Sequence, residues 1–155
     1  MPALRRLCPL LLLLSLAACA HSRAASTGQA KAEVEAALAH YAELTRSGPL
    51  DGLVDLFTPD GELLEAGMAS LAGRQAIHDF LAPLVAQFEV SASEMHAEVT
   101  DIHGSIGYQW GTFAQTAGPK GGTPSHYAGR FVAEWHRGDD GAWRLRRLLM
   151  QPGGG

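Results

Sequence analysis

Cysteine and positive charge are both scarce in this sequence. Of its 155 residues only two are cysteine, and 12 Lys and Arg residues stand against 16 Asp and Glu residues, which gives a net charge of −4. Binding to nucleic acid depends on cationic side chains that neutralise phosphates. The acidic balance and the lack of a basic run therefore exclude nucleic acid as an expected partner. Cys8 and Cys19 both lie near the N-terminus, so the sequence predicts a domain without an internal disulfide.

A long apolar run is also missing. The longest apolar block, residues 7–18, has about a dozen residues, whereas a helix needs about 20 to cross the ~30 Å of a bilayer. Arg5 and Arg6 precede the block, and small residues follow it. Charge, then a short apolar core, then small residues is the order typical of an export signal that is removed.

The end of this block has the form of a lipid-attachment site. Leu16-Ala17-Ala18-Cys19 resembles the lipobox of bacterial lipoproteins. The resemblance implies that Cys19 is acylated, becomes the new N-terminus and anchors the protein in a lipid bilayer, with ~0.8 kcal/mol from each buried CH₂. Ala20, rather than aspartate, follows the cysteine, which by the same resemblance favours the outer membrane and a protein facing the periplasm. The alternative is an ordinary secretory signal with a cysteine nearby.

Composition divides the chain into four parts. Residues 1–18 are the predicted lipoprotein signal peptide, and residues 19–28 are the lipidated cysteine with a small, polar, flexible tether. Residues 29–150 have room for one domain with one core. Residues 151–155 end in three glycines and are expected to be disordered.

The first half of the domain has helical periodicity. Ser26 and Gln29 form a capping box that predicts the start of the first helix, and residues 48–49 stop it. A shorter amphipathic segment covers residues 50–57. Gly73 precedes a third predicted helix, and Pro83 is expected to kink or end that helix. The positions expected to be buried in the third helix are Ile77, Phe80, Leu81 and Leu84.

The second half of the domain reads as strands. Residues 58–61 predict a turn, and residues 62–65 a short strand. Longer strands are predicted over residues 90–103, 105–116, 125–137 and 142–150. In residues 125–137 apolar and polar side chains alternate, with Tyr127, Phe131, Ala133 and Trp135 on one face and His126, Arg130, Glu134 and His136 on the other. The fold class is therefore α+β, with three helices on one face of a strongly curved antiparallel sheet around an apolar cavity.

Four segments carry a resemblance to a known superfamily. The chain resembles the SnoaL-like and nuclear transport factor 2-like proteins over residues 40–67, 73–81, 106–113 and 129–145. The resemblance implies a cone-shaped domain whose pocket opens at one end, and many members are dimers. It is strongest to a branch of small exported proteins without an established activity.

Ketosteroid isomerase, one enzyme of that superfamily, suggests a site. Aligning the first helix and the LDGLVDLF run without gaps puts Tyr41 at the position of its donor tyrosine and Glu65 at the position of its aspartate base. Its second oxyanion donor falls at Phe131 or Ala133, neither of which donates a hydrogen bond. Because one such donor is typically worth about 3 to 4 kcal/mol of transition-state stabilisation, the resemblance implies a slow isomerase at most.

Other candidate site residues are aromatic or histidine. The predicted pocket lining consists of Phe57, Tyr108, Trp110, His126 and Trp135. The seven histidines have none of the spacings of a metal site, so neither a metal nor another cofactor is expected.

Three functions remain open from the sequence. The first is a membrane-anchored protein that binds a small apolar molecule in its pocket. The second is an isomerase, dehydratase or cyclase that uses Glu65 as proton shuttle and Tyr41 as donor. The third is an interaction module, such as a homodimer, which needs a filled cone and an exposed apolar patch on the convex sheet face.

Overall fold

A computed structural model describes the backbone of residues 9–153 and the side chains of residues 26–153. The three predicted helices and the strands that follow them are confirmed. In chain order the elements are α1 Pro9–Ser47, α2 Leu50–Asp55, β1 Phe57–Glu65, β2 Leu71–Ala72, α3 Arg74–Gln87, β3 Phe88–His103, β4 Ile106–Pro119, β5 Ser125–Arg137 and β6 Trp143–Pro152. Within the described residues no helix is long and apolar enough to cross a membrane.

One mixed sheet forms the wall of the domain. Its strand order is β2-β1-β6-β5-β4-β3. From β3 to β6 the chain turns back at each hairpin, so these neighbours are antiparallel. β1 and β6 run parallel because α3 carries the chain from the β1 edge across to the far edge before the meander returns. The prediction of a wholly antiparallel sheet was therefore wrong at this one pair.

The sheet bends at β-bulges and at a glycine. The pairing of β3 with β4 shifts register between Val90 and Ala92 and again between Ala97 and Val99. Gly111 of β4 lies against the second shift, where the backbone of β3 comes too close for a side chain to fit. A bulge adds a residue to one strand and increases the local twist, which curves the sheet around α1.

The core lies between the helices and the concave face of the sheet, called here the inner face. Strand alternation sends every second side chain to this face, and the face is closed by α1, which packs along β3. The predicted alternation of β5 is confirmed, since Phe131, Ala133 and Trp135 are buried. The other principal buried side chains are Val34, Leu38, Tyr41, Phe57, Leu63, Ile77, Leu145, Leu148 and Met150.

Two predicted element limits are corrected by the structure. α1 already begins at Pro9, so Ser26 lies inside a helix and does not start one. The Leu- and Ala-rich residues before Ser26 have high helix propensity. Gly28, which follows Ser26, is a single weak helix former and does not end the helix. Residues 58–61 belong to β1 and form no separate turn, but they leave the ladder: Phe57 pairs with Leu145, and the next pair is Glu62 with Arg147.

α3 differs from its prediction at two positions. Pro83 does not end the helix, which continues to Gln87. Pro83 is exposed, and a proline at such a position removes one backbone hydrogen bond without placing its ring against the core. Leu84, predicted to be buried, is 40% exposed. The limits proposed for the signal peptide, the tether and the tail stay predictions.

Candidate functional site

Tyr41 lies on the buried stripe of α1, close to β1. Its side chain is only 7% exposed, and its ring meets the ring of Phe57 edge-on, with 6.3 Å between centroids. Burial raises the pKa of the Tyr41 hydroxyl, the charge of Glu65 raises it further, and a hydrogen bond with the Thr45 side chain lowers it in part. Tyr41 therefore keeps its proton and is a hydrogen-bond donor at physiological pH.

Glu65 is the last residue of β1 and points to the inner face. Leu63, two residues earlier, is buried in the core, and strand alternation gives Glu65 the same direction. In the sheet it is part of a row of paired residues, called here the Glu65 row, that continues through Met150, Phe131, Gly111 and Ala97. Burial raises the pKa of the Glu65 carboxyl.

Glu65 is close enough to Tyr41 for its charge to act on the phenol. The negative charge of Glu65 is one of the causes of the raised pKa of Tyr41. A carboxyl with a raised pKa exchanges its proton nearer to neutral pH than an ordinary glutamate does, and a protonated phenol beside it donates to oxygen. Chemically, the pair can hydrogen-bond a carbonyl or hydroxyl group and can accept or return a proton.

No second donor faces Glu65 from the two positions that the resemblance indicated. Phe131 and Ala133 are both buried on the inner face, and both side chains are apolar. The polar group nearby in the sheet is Gln109, which pairs with Ala133 across β4 and β5. Sequence reasoning missed Gln109, although its position between Gly107 and Gly111 on the inner parity of β4 was a signal for it.

Gln109 is occupied by its own neighbours. It is fully buried, it accepts a hydrogen bond of 2.8 Å from Trp135 Nε1, and its amide nitrogen donates to Thr100 Oγ1 at 3.1 Å. The chain of three side chains satisfies the buried polar atoms of this layer. It is a structural feature of the core and not a free donor for a ligand.

Two predicted pocket residues belong to the core. Phe57 is 1% exposed and Trp135 is 0% exposed. Phe57 packs against Tyr41, and Trp135 donates to Gln109 as described above. Because neither ring has free surface, the prediction that they line a ligand pocket is corrected to a packing role.

The other three predicted pocket residues lie on the convex, outer face of the sheet. Tyr108 and Trp110 alternate with the inward positions of β4, and each is 40% exposed. His126 shares the outer face of β5 with Arg130, and its Nδ1 is 3.5 Å from Thr116 Oγ1. The prediction that these three residues face the cavity was wrong. Tyr108 and Trp110 are outside because Gly107, Gln109 and Gly111 hold the inner positions of β4. His126 is outside because it has the opposite parity to the buried positions of β5.

The remaining site predictions concern lipid and metal. The side chain of Cys19 lies outside the residues whose side chains are described. Among the described residues, no three His, Cys, Asp or Glu side chains are placed to hold a metal ion.

The helices on a curved sheet and the half-buried carboxyl on its inner face define a class of small cone-shaped domains. The model of the SnoaL-like domain matches residues 27–148. The chain therefore belongs to the SnoaL-like family. No curated protein matches the sequence.

Solved structures show the same fold. A conserved protein from Planctomyces limnophilus is 18% identical, with a TM-score of 0.75 over 81% of this chain and 98% of that one. A ketosteroid isomerase-like protein from Erwinia carotovora is 14% identical, with a TM-score of 0.72 over 81% and 97%. ActVI-ORFA from Streptomyces coelicolor is 16% identical, with a TM-score of 0.66 over 78% and 95%. At these identities the similarity concerns the fold alone.

Proposed function

We propose that this protein binds a small, largely apolar molecule that carries a carbonyl or hydroxyl oxygen, and that Glu65 and Tyr41 hold that oxygen. The observation that supports this proposal is that the charge of Glu65 acts on the buried Tyr41 hydroxyl, while burial raises the pKa of Glu65 itself. Sites for small molecules are mostly apolar with a few converging polar groups. Glu65 and Tyr41 are such groups in an otherwise apolar row.

The apolar surroundings continue from the Glu65 row to the open end of the sheet. The next inner positions of β4 and β5 beyond the row are Phe113 and Gly129. Tyr127 follows on β5 and is 49% exposed, and Met68, three residues after Glu65, is 47% exposed. Tyr127 has the inner parity of β5, so it gives a ligand apolar surface on the same face of the sheet as the carboxyl.

Proton transfer at the same site is the catalytic form of this proposal. A glutamate with a raised pKa beside a tyrosine donor matches the roles of proton shuttle and donor in isomerases and dehydratases. The ketosteroid isomerase-like neighbour gives a reason to include this chemistry. With Phe131 and Ala133 in place of a second donor, the expected rate is low.

The expected result of a thermal-shift screen with apolar carbonyl compounds is stabilisation of the wild type that Glu65→Gln loses. Glutamine keeps the size of glutamate but neither ionises nor donates through an acidic proton. Glu94→Gln is the matched control, because Glu94 is exposed on β3 and the same change there leaves the response intact. Equal responses of the wild type and Glu65→Gln would contradict the proposed role of the carboxyl.

Melting temperatures of the wild type and Glu65→Gln at different pH values test the raised pKa of Glu65. Because burial raises the pKa of Glu65 in the folded state, the folded chain binds this proton more tightly than the unfolded chain. This proton therefore adds to the free energy of unfolding at pH values below the ordinary glutamate pKa. The added stability is lost as the pH rises through the pKa of Glu65 in the folded chain. Relative to Glu65→Gln, the wild type is therefore expected to lose melting temperature on going from acid to neutral pH.

A second proposed function, self-association, is favoured by an apolar row on the outer face. The paired residues Leu64, Leu149, Val132, Trp110 and Val99 cross five strands in register. Trp110, Val132 and Leu149 are 40%, 47% and 37% exposed. At about 4.8 Å per strand the row is roughly 19 Å long. A continuous exposed apolar surface of this kind marks an interaction site.

The charges beside this outer row favour a second copy in one orientation. Arg130 and Glu134 lie on the same face of β5, two residues before and after Val132. Arg130 pairs with Glu98 at 3.3 Å but keeps most of its surface. A two-fold axis along the row brings Arg130 opposite Glu134 of the second copy, a carboxylate that Arg147 of the same chain also contacts at 2.8 Å. An axis along the strands brings like charges together. The first arrangement is isologous and complementary.

We expect the wild-type chain to sediment as a dimer at micromolar concentration and Val132→Glu to sediment as a monomer. The substitution places a carboxylate in the middle of the apolar row, where the second copy desolvates it. Ala128→Glu, an exposed position on the same face of the same strand, is the control and leaves the dimer intact. A monomeric wild type would contradict this second function.

A further inference from the structure

A cavity of about 360 Å³ lies at the end of the domain where the β5–β6 hairpin turns. Its wall includes three arginines and a histidine, which are Arg74, Arg137, Arg144 and His136. Thr58 and Pro59 also line it. Met150, the neighbour of Glu65, lies six positions after Arg144 in β6, which is about 20 Å of strand. The cavity is therefore distinct from the Tyr41–Glu65 site.

The carboxylates that hold these arginines do not line the cavity. Arg74 Nη1 lies 2.9 Å from Asp55, Arg137 Nη2 lies 3.0 Å from Glu33, and Arg144 Nη2 lies 2.7 Å from Asp140. Among the described residues, the wall of the cavity contains cationic side chains and no acidic one. The arginines are fixed by residues of α2, α1 and the hairpin that do not line the cavity.

Two of the guanidinium groups have donors to spare. Arg144 uses Nη1 and Nη2 for the two oxygens of Asp140. Arg137 uses Nε for the Gly141 carbonyl and Nη2 for Glu33, while its guanidinium lies 5.8 Å from the Trp143 ring centre. Each guanidinium has five N–H donors, so these contacts leave three on each side chain. A planar fork of this kind matches the oxygens of phosphate.

We propose that this cavity binds a phosphate group. Fixed arginines reduce the entropy lost on binding, and a cavity of about 300 Å³ or more accommodates a phosphate with an attached organic part. The bound group is an anion that accepts hydrogen bonds from Arg137 and Arg144 at once. Free phosphate and the headgroup of an anionic phospholipid share this chemistry.

The cavity lies at the end of the domain that the proposed anchor holds close to lipid headgroups. Glu33 of α1 accepts a hydrogen bond from Trp143 Nε1 at 3.1 Å and pairs with Arg137, so α1 meets the domain next to the cavity. Cys19 precedes Glu33 in the same helix. This step rests on the proposed acylation of Cys19, which tethers this end of the domain to the bilayer surface.

The test is calorimetric titration of inorganic phosphate into the full chain, held in a neutral detergent at constant chloride. The wild type is expected to bind one phosphate, and Arg144→Gln is expected to weaken binding about tenfold, the usual effect of losing a hydrogen bond from a charged group. Arg46→Gln removes the same charge at the exposed end of α1 and is expected to bind like the wild type. Equal loss in both variants, or a wild type that does not bind, overturns the proposal.

An opposite change controls for misfolding. Asp140 competes for Arg144, and hydrogen bonds from Arg144 and from the Ala142 amide lower the pKa of Asp140 to about 2, so this carboxylate stays ionised. Asp140→Asn removes the competing charge but keeps a side-chain oxygen that accepts from Arg144, so the guanidinium stays positioned and phosphate binding is expected to tighten. A damaged fold weakens binding in either variant, so weaker binding by Asp140→Asn counts against the site.

Vesicles distinguish the two sources of phosphate. Phosphatidylglycerol vesicles and phosphatidylcholine vesicles are compared for the wild type and Arg144→Gln. A preference for phosphatidylglycerol that depends on Arg144 identifies the headgroup, and phosphate binding without that preference identifies a free phosphate; either result supports the cavity. The phosphate titration requires neither Cys19 nor Glu65, so its failure is separable from a failure of the proposed function.

Discussion

We expect Gly111→Ala to lower the free energy of unfolding by about 3 kcal/mol or more, and the melting temperature by roughly 10 °C. A Cβ atom at this position runs into the His96 carbonyl oxygen, and it also comes within 2.9 Å of the Glu98 amide nitrogen and 3.0 Å of the Ala97 Cα. All three are backbone atoms, so no side-chain rotation relieves the contact. β3 has to move away from β4 where the sheet bends.

Gly107→Ala is the matched control, because Gly107 lies on the same strand and the same inner face. A Cβ atom there meets only side-chain atoms, the nearest being Ile102 Cδ1 at 3.1 Å and Val34 Cγ2 at 3.4 Å. These side chains can adjust, so a loss of at most about 1 kcal/mol is expected. Urea titration of both variants measures the difference. Equal losses would mean that the bend at Gly111 is not fixed by close approach of the two backbones.

Gly111 also explains why the aromatic residues of β4 were assigned to the wrong face. From sequence, rings are expected inside and glycines at bends, and both expectations apply to residues 106–113. At the bend there is no room for a Cβ atom at position 111 of the inner face, so Gly111 takes that position. Strand alternation then puts Gln109 and Gly107 on the same inner face. Tyr108 and Trp110 are then outside by strand alternation. The parity of a strand depends on such long-range contacts, which a single sequence does not contain.

Where alternation is regular, the sequence was sufficient. In β5 the large apolar residues fall on every second position, and Phe131, Ala133 and Trp135 are buried as that pattern predicts. The parallel pair of β1 with β6 was beyond reach, because it depends on how α3 carries the chain across the sheet. The local hydrophobic pattern therefore predicted the helices and strands. Which strands lie next to each other in the sheet depends on tertiary contacts.

The two candidate sites differ in how much of them a sequence contains. Tyr41 and Glu65 were found because a family alignment covers both positions, although the effect of the Glu65 charge on Tyr41 depends on how the fold places α1 against β1. The phosphate cavity was missed. Its cationic residues come from α3, β5 and β6, and each one alone looks like an ordinary surface charge. Only the fold brings Arg74, Arg137 and Arg144 to one wall.

We expect Cys19→Ser to abolish incorporation of labelled palmitate and to release the chain from the membrane fraction. The thiol is the group that lipoprotein processing acylates, and serine offers none. A single acyl chain gives only marginal membrane binding, whereas several hold a protein firmly. Loss of the cysteine therefore removes the acyl anchor, and the apolar block that remains, residues 7–18, is too short to span the bilayer. Fractionation of cells with palmitate labelling measures both effects.

Cys8→Ser is the matched control, because Cys8 is the other cysteine of the chain and lies inside the apolar block. The proposal requires that this variant is labelled and anchored like the wild type. Labelling that is lost in Cys8→Ser and kept in Cys19→Ser would contradict the lipobox. Absence of label in the wild type would leave the ordinary secretory signal as the explanation. The headgroup would then lose its proximity to the cavity, and a free phosphate would be the ligand to test, since the arginines that line the wall are independent of the anchor.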